Sequence, residues 1–153
     1  MKHEHTLVIV KPDGVRRGLV GAVLSRIEQK GLAIENMLMV RMDASLARRF
    51  YAEHEAKPFF PALIEFMTSG PVVALDVAGE DAIGRMRAMI GPTDPEQRLP
   101  GTIRGDYSNH VTLNVVHASA TLLDSERELD LLFGADEQHQ KRPLRPEEPP
   151  GGP

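Results

Sequence analysis

The sequence predicts an α+β domain built on a four-stranded sheet. Three observations carry that prediction. Four short apolar runs, at residues 6–10, 34–42, 72–77 and 111–116, have the length and composition of strands. Segments with an apolar residue every three or four positions lie between them, as helices require. The 153 residues amount to one domain, and a chain of that length buries roughly 68–70% of its unfolded surface without help from a disulfide or a metal. Cysteine is absent, which excludes disulfides, thiolate metal sites and cysteine nucleophiles.

Taken in order, Leu7, Val8, Ile9 and Val10 form a continuous apolar run, the pattern of a strand covered on both faces. Lys11-Pro12-Asp13-Gly14 should end it as a turn, since proline has no N–H to give and Asp-Gly favours a tight bend. Val20, Val23, Leu24 and Ile27 fall on one helical face, with Ser25, Arg26, Glu28 and Gln29 on the other, and Gly31 suits the position after the helix. Residues 34–42 read as a Met-rich second strand. Ser45 is placed to cap a helix reaching His54, which Lys57-Pro58 interrupts. Pro61 fits the first turn of another helix, whose apolar stripe is Phe60, Leu63, Ile64 and Met67 and whose stop is Gly70-Pro71. Residues 72–77 are a third strand and 80–90 a helix with an acidic start and Gly91 at its end. Residues 92–110 carry Pro92, Pro95, Pro100, Gly101 and Gly105 and no period, and loops of that length in small domains tend to be functional. After the strand at 111–116, Ser125 and Glu128 have the spacing of a capping box ahead of Leu129, Leu132 and Phe133.

The order β-α-β-α-α-β-α-loop-β-α describes a ferredoxin-like βαββαβ sandwich. Its four-stranded antiparallel sheet has helices on one face, an inserted helical pair, one added helix and a long active-site loop. Residues 1–137 are assigned to this domain. Residues 138–153, with five prolines after Arg142 and no apolar period, are predicted to be a disordered tail.

Charge and composition narrow the function. A net charge of −4 argues against a sequence-independent nucleic-acid binder, and the absence of tryptophan argues against a base-stacking platform. No apolar run approaches the roughly 18–20 residues of a membrane span, and the first residues lack the apolar stretch of a secretory signal. A cytoplasmic protein with no membrane and no specific nucleic-acid partner is expected.

Among the chemistry-bearing residues, His117 stands out because it directly follows the run at 111–116. Alone it reads as readily as a core or edge histidine. Asn114 lies three residues before it, Ser119 two after, and Glu128 one turn into the next helix. A carboxylate on one ring nitrogen would fix the tautomer and leave the other lone pair free, which a nucleophilic histidine needs. Glu128 serves equally well as the partner of Ser125 in a capping box, and both readings stand. Lys11, Arg87 and Arg104 are cations at a strand end, on a helix and in the long loop. Neither GxxxxGK[ST] nor GxGxxG is present, so any phosphate must be held by side chains and Mg²⁺.

Several blocks share a pattern. Arg104-Gly105-Asp106-Tyr107 followed by Asn114-Val115-Val116-His117-Ala118-Ser119 resembles the active-site signature of the nucleoside diphosphate kinase family. The opening Thr6 to Gly14 with Arg17-Gly18-Leu19-Val20-Gly21 is similar to that family's start. So are Tyr51-Ala52-Glu53-His54, Lys57-Pro58-Phe59-Phe60, Ser69-Gly70-Pro71, Gly91-Pro92-Thr93-Asp94-Pro95 and Pro100-Gly101-Thr102-Ile103. The blocks are ordered at family-like spacing from about residue 4 to 134.

The resemblance implies reversible transfer of a γ-phosphoryl group from nucleoside triphosphates, ATP and GTP among them, to nucleoside diphosphates, maintaining the NTP and dNTP pool. His117 would carry the group in a ping-pong cycle. Lys11 would contact the transferring phosphate and the sugar. Arg87, Thr93 and Arg104 would hold the phosphates, with Mg²⁺ bridging them and no direct protein ligand. Asn114 would bond the ribose 3′-hydroxyl, Tyr51 would lie beside His117, and Glu128 with Ser119 would orient the imidazole. Phe59 and Val111 would sandwich the base, a grip with little base preference. His54 has no implied role. A homo-oligomer, tetramer or hexamer, is implied as well. Two positions depart from the family pattern: Ala120 stands where Asp is common and Leu113 where Arg is common. Each could remove a supporting salt bridge or subunit contact.

Overall fold

A computed structural model describes residues 2–134; the predicted tail at 138–153 and the domain boundary at 137 lie outside the described residues. The strands are β1 (His3–Val10), β2 (Ala33–Val40), β3 (Val72–Glu80) and β4 (Val116–Ala118). The helices are α1 (Pro12–Arg16), α2 (Val20–Gln29), α3 (Ala44–Phe50), α4 (Phe60–Met67), α5 (Ala82–Ile90), α6 (Ile103–Tyr107) and α7 (Leu122–Phe133). Sheet order is β2-β3-β1-β4, and each neighbouring pair is antiparallel, which is the ferredoxin-like topology expected.

The pleat of β1 explains its unbroken apolar run. Val8 and Val10, with Val73, Leu75 and Val77 of β3, meet Val23 and Ile27 of α2 and Met86 and Ile90 of α5. Leu7 and Ile9, with Val72 and Ala74, turn the other way onto Leu46 and Phe50 of α3, Ile64 and Met67 of α4 and Leu132 of α7. Helices therefore cover both faces, not one. The inserted pair α3–α4 and the added α7 bury the side that α2 and α5 leave open. Among the described residues no helix is long and apolar enough to cross a membrane.

Several local expectations change. The fourth strand is three residues, Val116–Ala118, and residues 111–115 are irregular. Val115 has φ of 74°, and the Val116 N–H bonds the Asn114 carbonyl at 2.8 Å, closing a γ-turn that removes this stretch from the sheet. Lys11-Pro12-Asp13-Gly14 does not make a simple turn but opens α1, where Pro12 takes the first helical position. Asp43, not Ser45, caps α3 by accepting from the Leu46 N–H at 2.7 Å, and α3 ends at Phe50 instead of His54. β3 continues to Glu80, so α5 begins at Ala82. The capping box of Ser125 and Glu128 does not form. Thr121 caps α7, Ser125 donates to the His5 carbonyl at 2.6 Å, and Glu128 is free for other work. The long loop holds a 3₁₀ turn at Pro95–Gln97 and the one-turn helix α6, capped by Thr102 and tied to α2 through Arg26 and Asp106 at 2.7 Å.

Ile27 is fully buried between α2 and the sheet, so Ile27→Ala should cost about 2–5 kcal/mol in urea unfolding. Leu123→Ala, at a side chain 78% exposed, should stay within about 0.5 kcal/mol of the parent.

Candidate active site

His117 sits in the middle of β4, paired with Ile9 of the central strand, so the sheet itself fixes its backbone. Its imidazole meets Phe50 edge-on at 5.1 Å between ring centres. Nε2 lies 2.9 Å from Glu128 Oε1, and Ser119 Oγ donates to that same oxygen at 2.7 Å. A carboxylate only accepts, so the imidazole proton is on Nε2 and the Nδ1 lone pair is free. Burial pushes the His117 pKa below the usual imidazole value, against the pull of Glu128, and the charges of Lys11 and Arg104 push the same way as burial. The ring is therefore neutral at pH 7. Glu128 is buried and comes from the second turn of α7 to meet β4 from above.

A cavity of about 440 Å³ opens beside the ring. Lys11 enters from the end of β1, Arg87 from α5 and Arg104 from α6. Burial lowers the Lys11 pKa to about 7; Arg104 adds to the shift and Asp13 opposes it. Burial, with Arg87 and Arg98 nearby, lowers that of Arg104 to about 10. The arginines are aimed by backbone carbonyls. Arg104 donates to Gly91 at 2.9 Å and Val116 at 2.8 Å, and Arg87 to Ala118 at 3.4 Å. Neutral acceptors orient the guanidinium groups without cancelling their charge, which leaves a cationic pocket suited to a polyanion.

The cavity also gathers unpaired polar atoms. Tyr51 Oη, His54 Nδ1, Arg104 Nε and Asn114 Oδ1 are buried without a hydrogen-bond partner, and all four residues line this cavity. Buried polar atoms ordinarily have partners, so four orphans on residues around one cavity mark a place for a polar ligand. Burial, and then Glu128, pushes the Tyr51 hydroxyl up, which keeps it protonated and able to donate. At the mouth stand Phe59, 47% exposed, and Val111, 56% exposed, two apolar side chains left open to solvent.

Of the residues singled out in the sequence, Lys11, Tyr51, Phe59, Arg87, Thr93, Arg104, Val111, Asn114, His117 and Glu128 all line this one cavity. Ser119 does not; it reaches the site through Glu128. Ala120 lines the wall and Leu113 lies outside it, half exposed. His54, to which the sequence assigned nothing, stacks on Tyr51 and tilts against Phe59. Among the described residues no group of three or more His, Asp or Glu could hold a metal ion. A divalent cation that fits here would take its oxygens from a bound ligand and water.

Two further residues act behind the wall. Asp13 Oδ2 accepts the Val115 N–H at 3.1 Å, and the Lys11 N–H donates to the Val115 carbonyl at 2.8 Å. Together they hold a β-branched residue in a backbone region that disfavours it, two residues before His117. Gly14 permits this approach: a Cβ there would lie 2.8 Å from Val10 Cγ1 and 3.0 Å from the Val115 carbonyl. The only sequence signal for this role was the Asp-Gly pair itself, and its partner is about a hundred positions away.

The chain is similar to known proteins in sequence and in fold. A family model described as Nucleoside diphosphate kinase matches residues 4–138. A nucleoside diphosphate kinase of Thermus thermophilus is 52% identical over 134 residues, covering 88% of this chain and 98% of its own. One from Staphylothermus marinus is 53% identical over 137 residues, covering 90% and 97%. Two solved structures superpose with TM-scores of 0.84. The Aquifex aeolicus nucleoside diphosphate kinase is 41% identical, with 89% of this chain and 99% of that one covered. A halophilic nucleoside diphosphate kinase from Halobacterium salinarum, in complex with CDP, is 47% identical, with 89% and 91% covered.

Gly14→Ala should lower unfolding stability by about 1–3 kcal/mol, because backbone and branched side chains must move aside. Gly21→Ala, in α2 with open space around it, should raise it by about 0.4–1 kcal/mol. Urea titration of the two variants distinguishes a packing constraint from a general dislike of alanine.

Proposed function

Because the chain belongs to the nucleoside diphosphate kinase family, we propose that it transfers the γ-phosphoryl group of a nucleoside triphosphate to a nucleoside diphosphate through a phosphohistidine on His117. The observation that carries this reading is the state of that imidazole. Its Nε2–H is taken by Glu128, and its Nδ1 has no hydrogen-bond partner among the described residues, in a cavity that Lys11, Arg87 and Arg104 also line.

In the first half-reaction the Nδ1 lone pair attacks the γ-phosphorus. The bond from that phosphorus to the β–γ bridging oxygen breaks, and the nucleoside diphosphate leaves with the electron pair. As the N–P bond forms, the ring gains positive character, and the buried carboxylate of Glu128 offsets it. In the second half-reaction a terminal phosphate oxygen of another diphosphate attacks the same phosphorus and the N–P bond breaks. A phosphoimidazole bond is reactive, so one site serves both directions. Phosphoryl transfer asks mainly for positioning and charge stabilisation, which Lys11, Arg87, Thr93 and Arg104 supply to the phosphates. The unpaired Asn114 Oδ1 suits the ribose 3′-hydroxyl, and Tyr51 Oη is free to donate beside His117. Phe59 and Val111 grip the base by its face, which predicts broad base use, ATP and GTP included. Mg²⁺, carried on the phosphates, neutralises their charge and orients them when bound. A role in keeping the NTP and dNTP pool, in the cytoplasm and as a homo-oligomeric tetramer or hexamer, accords with this reading.

Incubation with γ-labelled ATP and Mg²⁺ should leave acid-labile, alkali-stable label on the protein, and any added diphosphate should discharge it. His117→Ala should take up none; label persisting in that variant would remove His117 from the reaction. A second expectation follows from Lys11. With a free-state pKa near 7 it is mostly neutral at pH 8, and a bound polyphosphate should restore its charge. Calorimetry in buffers of different protonation enthalpy should then show proton uptake on ADP binding at pH 8 that is lost or reduced in Lys11→Met. Uptake unchanged in Lys11→Met would assign the proton elsewhere.

A further inference from the structure

Arg98 does not line the cavity, yet its bonds run behind the part of it that faces the nucleoside. Its Nη1 donates to Ser108 Oγ at 3.0 Å, and its Nη2 donates to the carbonyls of Thr93, at 3.1 Å, and of His110. Ser108 Oγ passes the connection on by donating to the Leu113 carbonyl at 2.8 Å. His110 Nδ1 accepts the N–H groups of Thr112 and Leu113, both at 3.0 Å. Asn114 Nδ2 then donates back to the Val111 carbonyl at 2.9 Å. One connected net therefore spans both arms of the long loop. It includes Thr93, Val111 and Asn114, three residues of the cavity wall.

The net is needed where it stands. Residues 108–115 belong to no helix or strand, so no ladder holds them. A segment of that kind samples other conformations unless side chains tie it down. A guanidinium suits the task, because its planar fork serves several acceptors at once and charge-assisted bonds are the stronger ones. The arrangement also has a cost, since Arg98 adds positive charge next to the already crowded Arg104. The guanidinium arrives from the opposite arm and reaches the backbone of Leu113 through Ser108.

We propose that Arg98 is a positioning residue for the nucleoside, holding residues 108–115 in the conformation that presents Val111 and Asn114 to the base and ribose. The inference rests on the nucleotide-binding reading above. When only a fraction of molecules has the loop in place, the apparent dissociation constant rises by the inverse of that fraction. The imidazole of His117 is held separately, by β4 and Glu128, and no bond of the net reaches it, although Thr93, which the reading above places on the phosphates, belongs to the net.

The test is equilibrium titration with ADP, with and without Mg²⁺, alongside steady-state kinetics. Arg98→Ala should weaken ADP binding about tenfold, a larger factor than its effect on kcat at saturating nucleotide. Arg98→Lys should recover only part of the affinity, because an ammonium cannot span three acceptors, and Ser108→Ala should weaken binding less than Arg98→Ala. The double variant Arg98→Ala/Val111→Ala should lose less than the product of the two single losses, since Arg98 acts through Val111. ADP affinity within twofold of the parent in Arg98→Ala, or independent effects in the double variant, would overturn the proposal while leaving the nucleotide reading intact. A parent protein that binds no ADP would overturn both.

Discussion

One buried carboxylate oxygen, Glu128 Oε1, takes two hydrogen bonds at once, from His117 Nε2 and from Ser119 Oγ. That contact decides which nitrogen of the imidazole keeps a free lone pair, and much of the fold holds it in place. Glu128 reaches the ring because α7 packs through Leu132 against the Leu7 and Ile9 face of β1. His117 meets it because β4 pairs with that same central strand. Ser119 is tied to β1 as well, its N–H donating to the Leu7 carbonyl and its hydroxyl accepting from the Leu7 N–H. Imidazole, carboxylate and hydroxyl thus depend on one strand. A shift of α7 along the sheet would be felt at the ring before it was felt in the core.

The second constraint is charge. Three cations converge on one cavity, Lys11 and Arg104 buried and Arg87 exposed, and the partners that aim the two arginines are carbonyl oxygens. Desolvation works against all of this, as the lowered pKa values of Lys11 and Arg104 show. Such a site is stable only because the rest of the core holds it together, and it is most at ease with an anion inside. The four orphaned polar atoms on residues of the same cavity point to the same conclusion by a different route. Positive charge and unspent hydrogen-bonding capacity together describe a phosphate-rich ligand with hydroxyl groups.

The element order could be read from the sequence because β1 is apolar without interruption and the helical stripes are regular. What could not be read depended on distant partners. The run at 111–116 has the composition of a strand, but Asp13 and Lys11, a hundred positions earlier, bend its Val115 into a γ-turn. The Ser125 and Glu128 spacing fits a capping box, but Thr121 caps first, and the tertiary demands of His5 and His117 claim the other two. The wall residues were identified through family-like motifs, and the structure brings them to one cavity. Asp13 and Gly14 read only as a turn and as part of an opening motif, and Arg98 as nothing, because contacts made chiefly to distant backbone atoms leave no motif behind.

The central claim is the tautomer: a resting imidazole with its proton on Nε2 and an Nδ1 ready to bond phosphorus. It is tested most directly by NMR on protein with ¹⁵N-labelled histidine, before and after ATP is added. The account predicts a protonated Nε2 and bare Nδ1 on His117 in the resting protein, and then one-bond ¹⁵N–³¹P coupling at Nδ1. A coupling at Nε2, or transfer between nucleotides with no nitrogen–phosphorus bond at any stage, would contradict it.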